Sequence, residues 1–131
     1  MVKLLHEKIK LDLFHGEYEV VVGGKMSDMI EHLETTYRGV KFPEDAVHAT
    51  GYTALINSVN GVGLFVLIQT DKNFLKVSNA RTIHHEAVHL SWYILDALGI
   101  TIDRKNHEMQ AYLVEDIIEK ITTLVEKYLS K

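Results

Sequence analysis

The sequence His85-Glu86-Ala87-Val88-His89 places two imidazoles and a carboxylate within five residues. A helix has about 3.6 residues per turn, so side chains four positions apart are neighbours, roughly 5–6 Å between Cβ atoms. His85 and His89 can therefore bind one metal ion, and Glu86 flanks that ion about 100° further round the helix. Zinc held by neutral nitrogens, with one coordination position open, lowers the pKa of its bound water to ~7. The motif thus predicts a catalytic Zn²⁺ site in which Glu86 accepts a proton from that water.

The composition narrows the kind of metal site. The chain has 131 residues, no Cys and a single Pro, with 47% hydrophobic and 24% charged residues. These values are typical of one globular domain, which we place at residues 1–131. Because there are no thiolates, the ligands of any metal must be His, Asp or Glu, and this favours a catalytic over a structural site.

Charge and hydropathy narrow the expected partners and location. The formal net charge is −4 and Lys and Arg form no cluster, which argues against nucleic acid as a partner. The N-terminal residues become charged too early for a signal peptide, and no window approaches 18 uninterrupted apolar residues. We therefore expect a cytoplasmic protein with no membrane segment.

Alternation of apolar and polar residues predicts two β-hairpins. The four strands are residues 9–14, 17–22, 52–59 and 62–69. His15-Gly16 forms the first turn, and Asn60-Gly61 forms the second with a strong hairpin signal. The run 62–69 is almost wholly apolar, which predicts burial on both faces of the sheet.

Three helices are predicted around these strands. They are residues 28–37, 80–98 and a C-terminal helix that extends to about residue 129. Ser27 is the expected N-cap of the first and Ser78 of the second, while Asp103 or Asn106 caps the third. Gly39 and Gly99 end the first two helices.

The helix over residues 80–98 separates core residues from site residues. At 100° per residue, one side carries Ile83, Ala87, Leu90, Ile94 and Leu98. The other side carries His85, His89, Trp92 and Asp96. We expect the first side to face the core and the second to face the site.

A catalytic zinc normally has three protein ligands, and two His with one Glu is a standard set. Glu108 follows His89 by 19 positions and opens the last helix, so the turn at Gly99 can bring it back toward the motif. Glu115 lies two turns further along the same stripe of that helix. The sequence leaves both carboxylates open as the third ligand.

The segment 85–112 resembles the gluzincin metallopeptidases, such as thermolysin, in which H-E-x-x-H on one helix is joined by a Glu from the next. The run Glu108-Met-Gln-Ala111-Tyr112 is also similar to the Glu-x-x-Ala pattern of ImmA/IrrE-type peptidases and to small phage-encoded proteins assigned as zinc peptidases. The resemblance implies that His85, His89 and Glu108 bind zinc, that Glu86 is the general base and that the substrate is a peptide or protein.

The chain departs from thermolysin-like enzymes in two respects. Tyr112 occupies the position of an Asp that supports a ligand His, and the domain that completes the substrate cleft is absent. Asp96 is therefore a candidate partner for a ligand His. His107 or Tyr112 is a candidate donor to the oxyanion of a tetrahedral intermediate. The resemblance also offers the strand at 62–69 as an edge that pairs with substrate, although core burial is the stronger interpretation.

These observations predict an α+β fold: a minimal zincin-like domain with a small sheet of two hairpins, an early helix and two C-terminal helices that carry the metal site. The expected function is zinc-dependent hydrolysis of a peptide bond. One alternative is a zinc-binding interaction or assembly protein without catalysis, whose apolar last helix could support a homodimer. A zinc-free structural domain is the other alternative.

Overall fold

The computed structural model of the protein describes residues 3–11, 16–58, 61–72 and 76–130. In chain order the elements are β1 (Leu4–Lys10), β2 (Glu17–Gly23), α1 (Met26–Thr36), a 3-10 helix (Glu44–His48), β3 (Gly51–Ser58), β4 (Gly61–Gln69), α2 (Lys76–Ala97) and α3 (His107–Leu129). The predicted α+β class is confirmed. None of the helices in these ranges combines the length and the apolar character needed to cross a membrane.

The four strands form one mixed sheet in the order β1-β2-β4-β3. The two predicted hairpins are present as the antiparallel pairs β1–β2 and β3–β4. A parallel pairing of β2 with β4, which the sequence analysis did not predict, joins the hairpins. As a result β3 is an edge strand and β4 is interior, so the hypothesis that the strand at 62–69 pairs with substrate is wrong.

The first hairpin begins earlier than predicted. Lys10 pairs with Glu17, so residues 11–16 join β1 to β2; the predicted strand at 9–14 is wrong at its start, which lies at Leu4, and at Leu11, which is outside β1. The backbone N–H of Leu11 donates to the carbonyl of Gly16 at 3.1 Å and closes this connection. Four of its residues, 12–15, are outside the described ranges and include the predicted turn residue His15.

Helices cover both faces of the sheet and bury two separate clusters. Alternate strand residues point to opposite faces, so Val20 and Val22 pack beneath α2 and α3, whereas Val21 packs against α1. In the same way Val66 belongs to the α2–α3 side and Leu67 to the α1 side. Residues 65–68 of β4 are thus buried on both faces, as the apolar sequence predicted, whereas Val62 at its start is 63% exposed.

Two of the predicted helix caps are wrong. Ser27 lies inside α1, whose N-cap residue is Lys25, and Ser78 lies inside α2. At the start of α1 the side chain of Gln69, from β4, accepts the backbone N–H of Met26 at 2.9 Å. A contact from a distant strand therefore replaces the local cap, and such a contact leaves no signal near the helix start.

The turn between α2 and α3 agrees more closely with the sequence. Gly99 has φ +73° after the end of α2, and the N–H of Ile100 donates to the carbonyl of Leu95 at 2.9 Å. This is the hydrogen bond of a Schellman motif, which favours glycine. Of the two cap candidates for α3, Asn106 is the N-cap residue, and its side-chain oxygen accepts the N–H of Asp103 at 2.7 Å.

Candidate metal centre

Helix α2 presents the motif as its periodicity predicts. Four of the five predicted core residues are buried: Ile83, Ala87, Leu90 and Ile94. The fifth, Leu98, lies just beyond the helix end and is 41% exposed. His85, His89, Trp92 and Asp96 are all exposed on the other side. Burial of the apolar stripe therefore fixes the helix so that both motif imidazoles face outward.

The two motif imidazoles meet at their Nε2 atoms. These nitrogens are 3.1 Å apart, and the ring planes cross at 75° with centroids 4.7 Å apart. Two nitrogens bound to one tetrahedral zinc at ~2.0–2.1 Å would be roughly 3.3 Å apart. The observed separation thus fits the donor set of a shared metal ion. It also fits a hydrogen bond between one protonated and one unprotonated nitrogen.

The Glu86 side chain contacts the sheet. Its side chain is only 5% exposed, and the Thr53 hydroxyl on β3 donates to its Oε1 at 2.8 Å. β3 approaches so closely that a Cβ added at Gly51 would lie 2.9 Å from Glu86 Oε2. Glycine at this position therefore leaves the space that the carboxylate occupies.

An open groove of about 490 Å³ lies where α2 meets the start of β3. Its walls include both His85 and Glu86 from the motif, together with Gly51. His48, at the end of the 3-10 helix, and Arg81, one turn before His85, also line it. Sequence analysis did not single out these two residues, because nothing in the local pattern brings His48 next to α2.

A second groove, of about 320 Å³, runs along β3. It is lined by residues 52–57 of β3, together with Tyr93 of α2, Lys41 and Pro43. Burial raises the pKa of Tyr52, and the nearby charges of Asp45, Tyr93 and Glu86 act in the same direction. One residue that lines this groove, Thr53, is also the hydrogen-bond partner of Glu86.

Glu108, the predicted third ligand, is not brought to the imidazole pair. Its side chain is 70% exposed, and its Oε1 lies 3.9 Å from Nδ1 of His107. Among the residues that the structure describes, no three His, Asp or Glu side chains are grouped as a metal site. Glu115 is also exposed and is likewise not grouped with the imidazole pair. Both assignments remain predictions.

The packing of α2 against α3 explains the separation. Gln110 donates a side-chain hydrogen bond to Ser91 at 3.2 Å across the contact between these helices. Ser91 follows His89 by two residues and Gln110 follows Glu108 by two, which is a rotation of about 200° in each helix. His89 and Glu108 therefore both point away from the contact that joins their helices.

The remaining predicted site residues are on the surface. His107, Tyr112 and Asp96 are exposed. Within the described ranges, the His85 and His89 rings hydrogen-bond only to each other. The roles of Asp96 as a partner of a ligand His, and of His107 or Tyr112 as an oxyanion donor, stay predictions.

A second histidine pair, which sequence analysis missed, lies on the opposite face of the sheet. His6 Nδ1 on β1 is 2.9 Å from His32 Nε2 on α1, and His6 Nε2 is 2.8 Å from Glu19 Oε1 on β2. The Tyr37 hydroxyl also donates to Glu19 Oε1. His6 and His32 are 26 residues apart, so no local spacing could have indicated this cluster.

Comparison with known proteins adds no relative. The sequence matches no protein-family model and no curated protein, and the fold matches no solved structure.

Proposed function

We propose that the protein is a zinc-dependent peptidase that hydrolyses peptide bonds in an extended segment of its substrate. The observation that carries this proposal is the 3.1 Å separation of the His85 and His89 Nε2 atoms, next to a largely buried Glu86. Two convergent nitrogens supply ligands, and a neighbouring carboxylate supplies a base.

His85 and His89 are the ligands that the geometry supports, and Glu108 is the proposed third. When bound, zinc would polarise the scissile carbonyl and acidify a water molecule. A two-His, one-Glu set would leave a coordination position open for this chemistry. Glu108 is a suitable candidate because it is exposed and belongs to the helix that follows α2.

Glu86 is the proposed general base. Its Oε1 accepts the Thr53 hydroxyl, which restricts the carboxylate to one orientation. Its Oε2, beside Gly51, is the atom assigned to take a proton from the attacking water and return it to the leaving amine. Low exposure reduces competition from bulk water for this oxygen.

Strand β3 is the proposed substrate-binding edge. It pairs with β4 and is an edge strand of the sheet, and residues 52–57 line a groove. An extended peptide can add to such an edge through main-chain hydrogen bonds. Gly51 and Thr53 contact Glu86, so a peptide bound along β3 would pass close to the base.

The experiment measures zinc content by mass spectrometry and cleavage of a mixed peptide library by the purified protein. We expect about one zinc at this site, lost in His85→Ala. Glu86→Gln should retain zinc and lose activity by about 10²–10⁴-fold. Asp116→Asn, on the surface of α3, is the control and should retain both the bound zinc and the peptidase activity. Full activity in Glu86→Gln, or activity without metal, would contradict the proposal.

A second candidate, a zinc-binding interaction protein without catalysis, is favoured by one observation: Glu86 is already engaged by Thr53. In that case Glu86→Gln would leave partner capture and phenotype unchanged while wild-type protein cleaves no peptide. A zinc-free structural domain would instead show the same melting temperature before and after chelation.

A further inference from the structure

We propose that His6 and His32 form a second metal site, on the face of the sheet opposite the motif, for a divalent ion of the zinc, nickel or copper type. His6 Nδ1 and His32 Nε2 are its two protein ligands. The site does not depend on the proposed peptidase function, because it shares no residue with the motif.

The two donor atoms are placed for a shared ion. They are 2.9 Å apart, close to the 3.1 Å between the motif nitrogens. Without a metal, one proton lies between the two rings, since a hydrogen bond at this distance needs one donor and one acceptor. A metal ion would replace that proton, and His32 would carry its own proton on Nδ1 instead.

Glu19 fixes which nitrogen of His6 is available. An ionised carboxylate only accepts hydrogen bonds, so His6 Nε2 carries the proton in the 2.8 Å contact with Glu19. The Nδ1 lone pair of His6 is consequently directed at His32. Metal-binding histidines typically donate their other ring N–H to a carboxylate in this way. The motif histidines have no comparable carboxylate partner within the described ranges.

Tyr37 holds Glu19 in place. Its hydroxyl donates to the same carboxylate oxygen, and its ring lies edge-on to His6 with centroids 6.2 Å apart. Burial, followed by the hydrogen bond to Glu19, raises the pKa of Tyr37 to about 12. The hydroxyl therefore stays protonated and remains a donor at neutral pH.

The surroundings favour a cation. His32 opens onto a surface groove of about 360 Å³, whose lining includes Asp28 and Glu31. Their carboxylates add negative charge beside the pair.

The ligand types indicate which ions to use. Imidazole suits zinc, copper and nickel, and divalent affinity rises toward copper in the first-row series. The chain has no Cys to compete for these ions. Ni²⁺ therefore serves as the calorimetric probe and Cu²⁺ as the spectroscopic one.

The experiment uses the full chain carrying His85→Ala and His89→Ala, which removes the motif pair. We expect this protein to bind one Ni²⁺, and His32→Gln to weaken that binding more than tenfold. His107→Gln, at an exposed histidine on α3, is the control and should bind as its parent does. Circular dichroism verifies that each variant is folded. Equal Ni²⁺ binding in His32→Gln and its parent would overturn the proposal.

His6→Gln provides a second variant that must also lose the ion. In the parent, the Cu²⁺ paramagnetic resonance spectrum should show two coupled ring nitrogens, and in His32→Gln no more than one. Glu19→Gln should weaken binding by ~10–100-fold while both nitrogens remain coupled, because Glu19 positions His6 and is not a ligand. An unchanged nitrogen pattern in His32→Gln would overturn the assignment.

Discussion

The two histidine pairs bring ring nitrogens to nearly the same distance, but their surroundings differ. His85 and His89 project from one helix into solvent and hydrogen-bond only to each other within the described part of the chain. His6 and His32 come from a strand and a helix, are partly buried, and are connected to Glu19 and Tyr37.

The difference shows two ways in which a protein orients imidazoles. Helical spacing alone aligns the first pair, and no other side chain in the described ranges hydrogen-bonds to its rings. Packing between separate elements aligns the second, and the hydrogen bonds of His6 fix its tautomer. The first pair is suited to a site with open coordination positions, whereas the second is suited to a rigid site.

The largest expected effect concerns the third ligand of the first pair. Glu108→Gln should weaken zinc binding at His85 and His89 by more than about 100-fold, because a lost ligand costs more than a lost partner of a ligand. Competition with a chromophoric chelator in the His32→Gln background measures the motif site alone.

Glu115→Gln is the matched control for that experiment, since it is the same substitution two turns along α3. It should bind zinc as the unsubstituted protein does. If Glu115→Gln loses zinc and Glu108→Gln keeps it, the assignment of the third ligand is reversed.

The next effect concerns the carboxylate beside the first pair. Thr53→Val removes the hydroxyl that donates to Glu86 and leaves a largely buried carboxylate without that partner. We expect the free energy of unfolding to fall by about 1–3 kcal/mol and peptide cleavage to decrease. Urea unfolding of the metal-free protein measures the first quantity.

Thr53→Ser retains a hydroxyl at the same position and should recover most of the lost stability. An unfolding free energy for Thr53→Val equal to that of the unsubstituted protein would mean that the 2.8 Å contact does not stabilise the fold.

A smaller effect is expected at the carboxylate of the second pair. Tyr37→Phe removes the hydroxyl that donates to Glu19 while keeping the ring against Phe65. The hydrogen bond is to a charged group in a partly buried place, so we expect a loss of about 1 kcal/mol. Thermal unfolding at pH 7 measures it.

Tyr52→Phe is the corresponding control at the other end of the sheet, because the Tyr52 hydroxyl has no hydrogen bond within the described ranges. A loss of stability as large in Tyr52→Phe as in Tyr37→Phe would argue against a specific contribution of the Glu19 contact.

The smallest effect is a pH dependence that separates the two pairs. Burial lowers the pKa of His32 below its ordinary 6.5, so near and below that pH the unfolded chain binds more protons than the folded one. Stability contributed by neutral His32 is therefore present above pH 6.5 and is lost as the pH falls. His32→Gln should reduce the slope of unfolding free energy against pH in this window.

The same measurement on His89→Gln tests whether the slope belongs to the second pair. This variant keeps His32 and should keep the pH slope that depends on it. A slope that is identical in His32→Gln and the unsubstituted protein would show that acid sensitivity arises elsewhere.

Periodicity predicted the helix that carries the motif and the face on which each motif residue lies, since four of five core positions are buried. The N-cap predictions failed at the starts of α1 and α2, because Ser27 and Ser78 lie inside the helices. For α1 the reason is tertiary: Gln69 of β4 supplies the acceptor that a local cap would otherwise provide.

The strand predictions failed in a similar way. Alternation found both hairpins but placed the first strand at 9–14, because residues on either side of the true end continue the same pattern. Register is set by cross-strand pairing, here Lys10 with Glu17. The parallel contact of β2 with β4 joins residues more than 40 positions apart and has no local signature.

By itself, the sequence determined that His85 and His89 share one face of a helix and that Glu86 lies beside them, because the geometry of a helix fixes those angles. Tertiary structure decided what each group meets. It placed Glu86 against Thr53, left the Glu108 side chain 70% exposed, and joined His6 to His32. Contacts between distant segments depend on strand register and helix packing, and these are settled only when the whole core is assembled.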